Sequence, residues 1–338
     1  MVNSDPNYVL ASIEMLANQC SYIWELVKSI NIPEDFKSAE NITLCGMGGS
    51  RYGAYIIQNL YRDLLKVPVL NYGDYHIPAY FNEKSLFLLC SYSGGTEEPL
   101  SSAEEAIKKG GLVIGLTGGG KAGELSKNHN FPVVLFDQKY NPSGQPRLGT
   151  GYMVFGIIAL LAKLGYIQVT NEEISVAISE LKSYQEVIKA KAKEITQKIY
   201  GHIPVYIAAE FLNGNTHIMR NQTNETAKSF AAFSELPELN HHLLEGLKKP
   251  ADKKLFVLFI SSDLYSHKLK KRQELTKDVV EKNGATLDEY RPEGSSKLSQ
   301  MLNVLSFGGY LSFYLALLYK EDPSIVPWVD YFKEQLAK

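Results

Sequence analysis

Cysteine is scarce in this chain. Cys20, Cys45 and Cys90 are the only three among 338 residues, they stand far apart, and no CxxC pair occurs. That excludes a disulfide framework and a zinc knuckle, and the expectation is buried, reduced thiols in a cytoplasmic protein. Metal-ligand spacing is missing too: His76, His129, His202, His217 and His267 are scattered, and each reads as a surface or capping residue. No charge of one sign dominates. Lys plus Arg is 35 against 37 for Asp plus Glu, a formal net charge of −2, so nucleic acid is not expected as a partner. The longest apolar run, Tyr152 to Leu164, spans about 13 residues where about 20 would cross a bilayer. It reads as a buried helix, and no membrane association is expected. Met1 to Asn18 contains Asp5 and Glu14 and lacks the basic start and apolar run of a signal peptide. What is present is an ordinary globular composition, 45% hydrophobic and 21% charged, which excludes disorder as the main theme. The length favours two domains.

Helical spacing of apolar residues covers Pro6 to Ile30, and short apolar runs then alternate with helical patterns. The runs are Asn41–Cys45, Val67–Tyr72, Ser85–Ser93, Leu112–Thr117 and Pro132–Phe136; helices fall at Gly53–Leu65, Thr96–Lys109 and Gly123–Asn128. The second half repeats the rhythm, with strands at Ile203–Ala209, Lys254–Ser261 and Thr286–Tyr290. Its helices are expected at Asn171–Lys198, Asn215–Lys228, Leu264–Asn283, Lys297–Tyr319 and Trp328–Ala337. Such alternation predicts an α/β fold of doubly wound parallel sheets with both faces covered. The boundary is expected near the Leu164–Gly165 turn, giving units of residues 1–164 and 165–338.

Two loops follow strands and precede helices: Gly46-Met47-Gly48-Gly49-Ser50 and Ser91-Tyr92-Ser93-Gly94-Gly95-Thr96. Ligands of open α/β sheets sit at the carboxyl ends of the strands. Glycines let backbone approach closely, hydroxyls donate, and helix N-termini favour anions. Ser91, Ser93 and Thr96 together suit the three oxygens of a phosphate monoester. Tight turns with capping serines are the plainer alternative for either loop alone. A dinucleotide fingerprint would need glycine where Arg51 stands, and although Asp74 mimics its ribose-binding acid, the serine-rich loop has no role in that scheme. A GxxxxGK[ST] loop is absent.

The combination of "GMGGS", "SYSGGTEE", "SGQPRLGTGY", "NETAK" (224–228), "ELPELNHH" (235–242) and "LSFYLALLYKEDP" resembles the bifunctional phosphoglucose/phosphomannose isomerase family, whose phosphosugar-binding units are SIS domains. The resemblance covers nearly the whole chain in order. It implies two SIS-type domains (α-β-α sandwiches), no cofactor, no metal, a small-molecule sugar phosphate as substrate, and a homodimer with a shared active site. Phosphate binding carries over to Gly48, Gly49, Ser50, Ser91, Ser93 and Thr96. Arg147 matches the active-site arginine, which would stabilise charge on a substrate oxygen. Glu225 matches the catalytic base, which would move a proton between C2 and C1 through a cis-enediol. Taken alone, it reads far more readily as a solvated helix-face acid paired with Lys228. His241, rather than its neighbour His242, matches the ring-opening histidine supplied across the dimer. Lys333 matches a C-terminal lysine near the substrate oxygens.

The chain departs from the family pattern at Arg51, Gly95 and Gly309. Arg51 is expected to add a cation beside the phosphate loop. The implied activity is interconversion of glucose 6-phosphate, and mannose 6-phosphate, with fructose 6-phosphate. A non-catalytic SIS-type sugar-phosphate sensor is the competing reading; it would need the loops but not Glu225, Arg147 and His241 together. An aminotransferring SIS enzyme would need a glutaminase domain with an N-terminal cysteine, and position 2 is Val2.

Overall fold

The computed structural model describes residues 5–249, 251, 252, 254–336 and 338. Expectations touching residues 1–4, Ala337 and the start of the chain lie outside the described residues. The first half runs α1 (Val9–Glu14), α2 (Leu16–Ser29), β1 (Asn41–Cys45), α3 (Tyr52–Leu60), β2 (Val69–Tyr72), β3 (Ser85–Ser91), α4 (Glu97–Lys108), β4 (Leu112–Thr117), α5 (Gly120–His129), β5 (Val133–Leu135) and α6 (Thr150–Lys163). The second runs α7 (Asn171–Ser183), α8 (Gln185–Ile199), β6 (Ile203–Ala209), α9 (Asn213–Thr226), β7 (Ala232–Leu236), α10 (Leu243–Gly246), β8 (Leu255–Ile260), α11 (His267–Lys282), β9 (Thr286–Tyr290), α12 (Lys297–Tyr319) and α13 (Pro327–Leu336).

The strands pair in parallel throughout, in the orders β2-β1-β3-β4-β5 and β7-β6-β8-β9. Strand β3 shows why: SLFLLCS is buried at every position, as a strand covered on both faces must be. Its residues alternate between two cores. Leu86, Leu88 and Cys90 join the large core running through both halves, while Phe87 and Leu89 join a smaller one under α4 and α5. The architecture is the expected one, two parallel α/β sheets with flanking helices.

Several boundaries differ from the sequence reading. The helix expected over 171–198 is two helices broken at Tyr184, and the leading helix kinks at Met15, where φ −86°, ψ 7° departs from helical values. Helix α3 stops at Leu60, and α11 starts at His267 because the Ser262 hydroxyl takes the Leu264 N–H. Strand β7 is an addition. Its sequence, AFSEL, is half polar because it lies at the sheet edge, paired only with β6. Helix α12 is long and apolar enough to cross a membrane by length and composition, yet 83% of that window is buried inside the fold. It packs against α1, α7, α8 and α9. Ser299, Gln300 and Asn303 interrupt it, so it did not read as the longest apolar run. All three cysteines are free and buried, and burial pushes each thiol above its ordinary range.

Candidate active site

The two glycine and serine loops stand at the carboxyl ends of the adjacent strands β1 and β3, as open α/β sheets require. They are built into each other. The Ser50 hydroxyl accepts the Tyr92 N–H at 2.8 Å, so the first loop holds the second while the Ser50 O–H stays free of this bond. Ser91 donates to the Thr96 hydroxyl at 3.2 Å, and Thr96 precedes α4 without spending its side chain on a cap. Ser93 is exposed at the loop tip, where its hydroxyl takes the Gly95 N–H. Gly94 has φ +74°, and a Cβ there would stand 1.7 Å from the Gly119 carbonyl oxygen, so only glycine fits this tight crossing.

Gly49 carries the site into the next element. A Cβ on it would lie 2.7 Å from the Pro146 carbonyl oxygen, so the first loop rests directly on the Pro146–Leu148 turn that bears Arg147. A second route runs through side chains: Asn141 donates to the Tyr92 hydroxyl at 2.7 Å and to the Gln145 carbonyl at 2.9 Å.

Arg147 is 2% exposed. Its Nε donates to Thr226 Oγ1 at 3.2 Å and Nη1 to Gln145 Oε1 at 2.9 Å; Nη2 donates to the Pro323 and Ser324 carbonyls at 2.7 and 2.9 Å. A guanidinium has five N–H donors, so these four bonds leave one, on Nη1. That nitrogen is 4.0 Å from Glu225 Oε2. Burial pulls the Arg147 pKa down and the charge of Glu225 opposes it.

Glu225 lies in the last turn of α9 and is half-buried. Burial raises its pKa, opposed first by Arg147 and then by Lys333 and Lys228. The carboxylate does not form the helix-face pair with Lys228. That ammonium turns to the carbonyls of Thr226 and Asp322 instead. Lys333 sits on exposed helix α13, and its charge bears on Glu225. His241 is exposed in the turn Glu238–His241, which is tied to α11 by Asn240 bonding Thr276 and Arg272. Among the described residues it bonds to neither Glu225 nor Arg147. The structure thus brings together the loops, Arg147 and Glu225, and leaves His241 at the surface of the single chain.

The Arg51 guanidinium bonds the Asn71 side chain at 2.5 Å and its carbonyl at 3.2 Å, and lies over Tyr55. One expectation is corrected. His217 is not a surface histidine. It is stacked between Tyr55 and Phe233, with centroids 3.7 and 4.4 Å away, and burial with the nearby Arg220 and Arg51 pushes its pKa down to about 4. Sequence reading also missed Tyr52, on the first turn of α3. Its fully buried hydroxyl has no hydrogen-bond partner among the described residues, and burial, followed by the charge of Glu225, raises its pKa well above the ordinary value. Only its distance of 173 positions from Glu225 hid it. Among the described residues no three His, Cys, Asp or Glu side chains gather to hold a metal ion.

Two parallel α/β sheets with flanking helices are the architecture of SIS-type domains. Residues 188–336 match the family model described as bacterial phospho-glucose isomerase C-terminal SIS domain. Bifunctional phosphoglucose/phosphomannose isomerases are similar along almost the whole chain. That of Caldicellulosiruptor bescii is 31% identical, covering 97% of this chain and 98% of the relative; that of Aquifex aeolicus is 32% identical, covering 96% and 97%. Among solved structures, the C-terminal domain of glucosamine-fructose-6-phosphate aminotransferase from Francisella tularensis shares the fold, with TM-score 0.72 at 14% identity over 95% of this chain and 98% of that one. The chain belongs to the bifunctional phosphoglucose/phosphomannose isomerase family, whose members are intramolecular oxidoreductases.

Proposed function

We propose that this enzyme interconverts glucose 6-phosphate and mannose 6-phosphate with fructose 6-phosphate through a cis-enediol, using no metal or cofactor. The observation that carries the reading is the Glu225 carboxylate facing the one uncommitted N–H of Arg147, on a turn that rests against the phosphate loop. The loops hold the 6-phosphate. Glu225 takes the C2 proton of the open-chain aldose while O1 gains a proton, forming the 1,2-enediol. It then returns its proton to C1 as O2 loses one, which leaves the ketose. Arg147 stabilises the oxygen on which charge develops, and its rigid mounting keeps it in place as the charge forms. A sensor that only binds needs the loops but has no use for this pair.

Residues 1–164 and 165–338 serve as the two SIS units, and the working form is a homodimer. Helix α13 buries none of its residues and presents Trp328 and Phe332 at 79% and 61% exposure. A second copy covers such a face and brings His241 of the partner subunit to the sugar ring for its opening. Mixing inactive Glu225→Gln and His241→Ala proteins and allowing exchange is then expected to restore roughly one quarter of wild-type activity, because half the dimers hold one intact site. No recovery would place both residues in one subunit's site.

The direct test is a coupled assay from fructose 6-phosphate, in the presence of a chelator, following glucose 6-phosphate and mannose 6-phosphate. Formation of neither overturns the assignment. Ser91→Ala combined with Thr96→Ala is expected mainly to raise KM, since each hydrogen bond to a charged group is worth about 1.5–3 kcal/mol. An unchanged KM moves the phosphate elsewhere.

A further inference from the structure

Lys228 sits just beyond the C-terminus of α9 with φ +51°, a left-handed conformation that a lysine adopts at a cost. Nothing in helix termination demands lysine there, and glycine is the residue that usually fills such a position. Its side chain supplies a reason. The half-buried ammonium donates to the Thr226 carbonyl at 3.1 Å and to the Asp322 carbonyl. The next two carbonyls in the chain, Pro323 and Ser324, take the Nη2 protons of Arg147. Three successive carbonyls are thus held by two cations from separate segments. The same turn is braced by the Asp322 carboxylate, which takes the Ser324 N–H and hydroxyl, and by Asn7.

This turn leads into α13. Within the single chain that helix buries no side chain, so the turn is what joins it to the body of its own subunit. Yet Lys333 on α13 bears on Glu225, and Asp330 on Arg147. We propose that Lys228 is a positioning residue: its ammonium, beside the Arg147 guanidinium, clamps the Asp322–Ser324 turn and so seats α13, the helix that carries Lys333. Substrate never touches Lys228. The inference rests on the isomerase reading for its kinetic arm and on geometry alone for its structural arm.

Both arms are read on the full-length protein. Lys228→Met keeps the stem and removes the donors, and Lys228→Gly removes them while relieving the left-handed backbone. In each, hydrogen exchange of amides 322–336 is expected to accelerate roughly tenfold or more, the worth of one charged hydrogen bond, with β1 and β3 unchanged. The kcat for fructose 6-phosphate falls in step, KM stays within about twofold because the phosphate loops are untouched, and Lys228→Arg restores both. Wild-type exchange at 322–336 in both variants overturns the clamp. Faster exchange throughout the fold reduces Lys228 to a stability residue, and faster local exchange with unchanged kcat removes its positioning role. If the wild-type protein turns over no sugar phosphate, the functional reading fails, and the exchange experiment still decides whether Lys228 seats α13.

Discussion

Glu225→Gln is expected to reduce isomerisation by roughly 10²–10⁴-fold, the usual worth of a positioned general base, while sugar-phosphate binding persists. Solvent deuterium then ceases to enter C1 or C2. The fold is not expected to suffer. Burial raises the Glu225 pKa in the folded state, so ionising it costs stability as pH rises from the unfolded-state pKa through the folded one. Gln removes that cost, and the variant melts no lower than the wild type near neutral pH. The raised pKa also sets the acid side of the activity profile, because a base works only when ionised. The acidic limb of kcat/KM is expected above the ordinary carboxylate range. Since Lys333 opposes the rise, Lys333→Met moves that limb to still higher pH. Near-normal turnover by Glu225→Gln would take the base role away from Glu225 and hand it to another group.

Arg147→Met is expected to cost both stability and turnover. It removes four hydrogen bonds, strands the Pro323 and Ser324 carbonyls, and leaves Glu225 beside no guanidinium. Removing one partner from a buried charge cluster typically costs about 3–5 kcal/mol. In a chain of this size that lowers the melting temperature by roughly 10 °C. Arg147→Lys separates the two contributions. It keeps the charge but cannot reach Thr226, Gln145 and two carbonyls at once, and kcat is expected to fall roughly 10²-fold or more with the fold retained. The comparison needs a thermal melt and a turnover assay on the same preparations. An Arg147→Lys enzyme that melts and turns over like wild type would make the arginine a structural strut.

Much was legible because it is local. The parallel sheets follow from strands such as SLFLLCS, whose unbroken apolar run leaves no solvent face. The two strand-end loops follow from glycines and hydroxyls placed directly after strands. Arg147, Glu225 and Lys333 are named through the family resemblance, not from local pattern. The edge strand β7 was not legible, since an edge position tolerates the polar residues that blur its pattern. The kinks at Met15 and Tyr184 were not either, because hydrophobic spacing continues across them.

What the sequence determined by itself is the layered α/β fold, the loops, and the types of residue able to move a proton. What the tertiary structure decided is their use. It bonded the Arg51 guanidinium to Asn71 and stacked His217 between two aromatic rings. It committed four of the five Arg147 donors and set the fifth toward Glu225. It also swung Lys228 from its helix neighbour to a turn 94 residues away. These outcomes depend on which carbonyls and carboxylates lie within about 3 Å once the chain has closed, and no local pattern carries that distance.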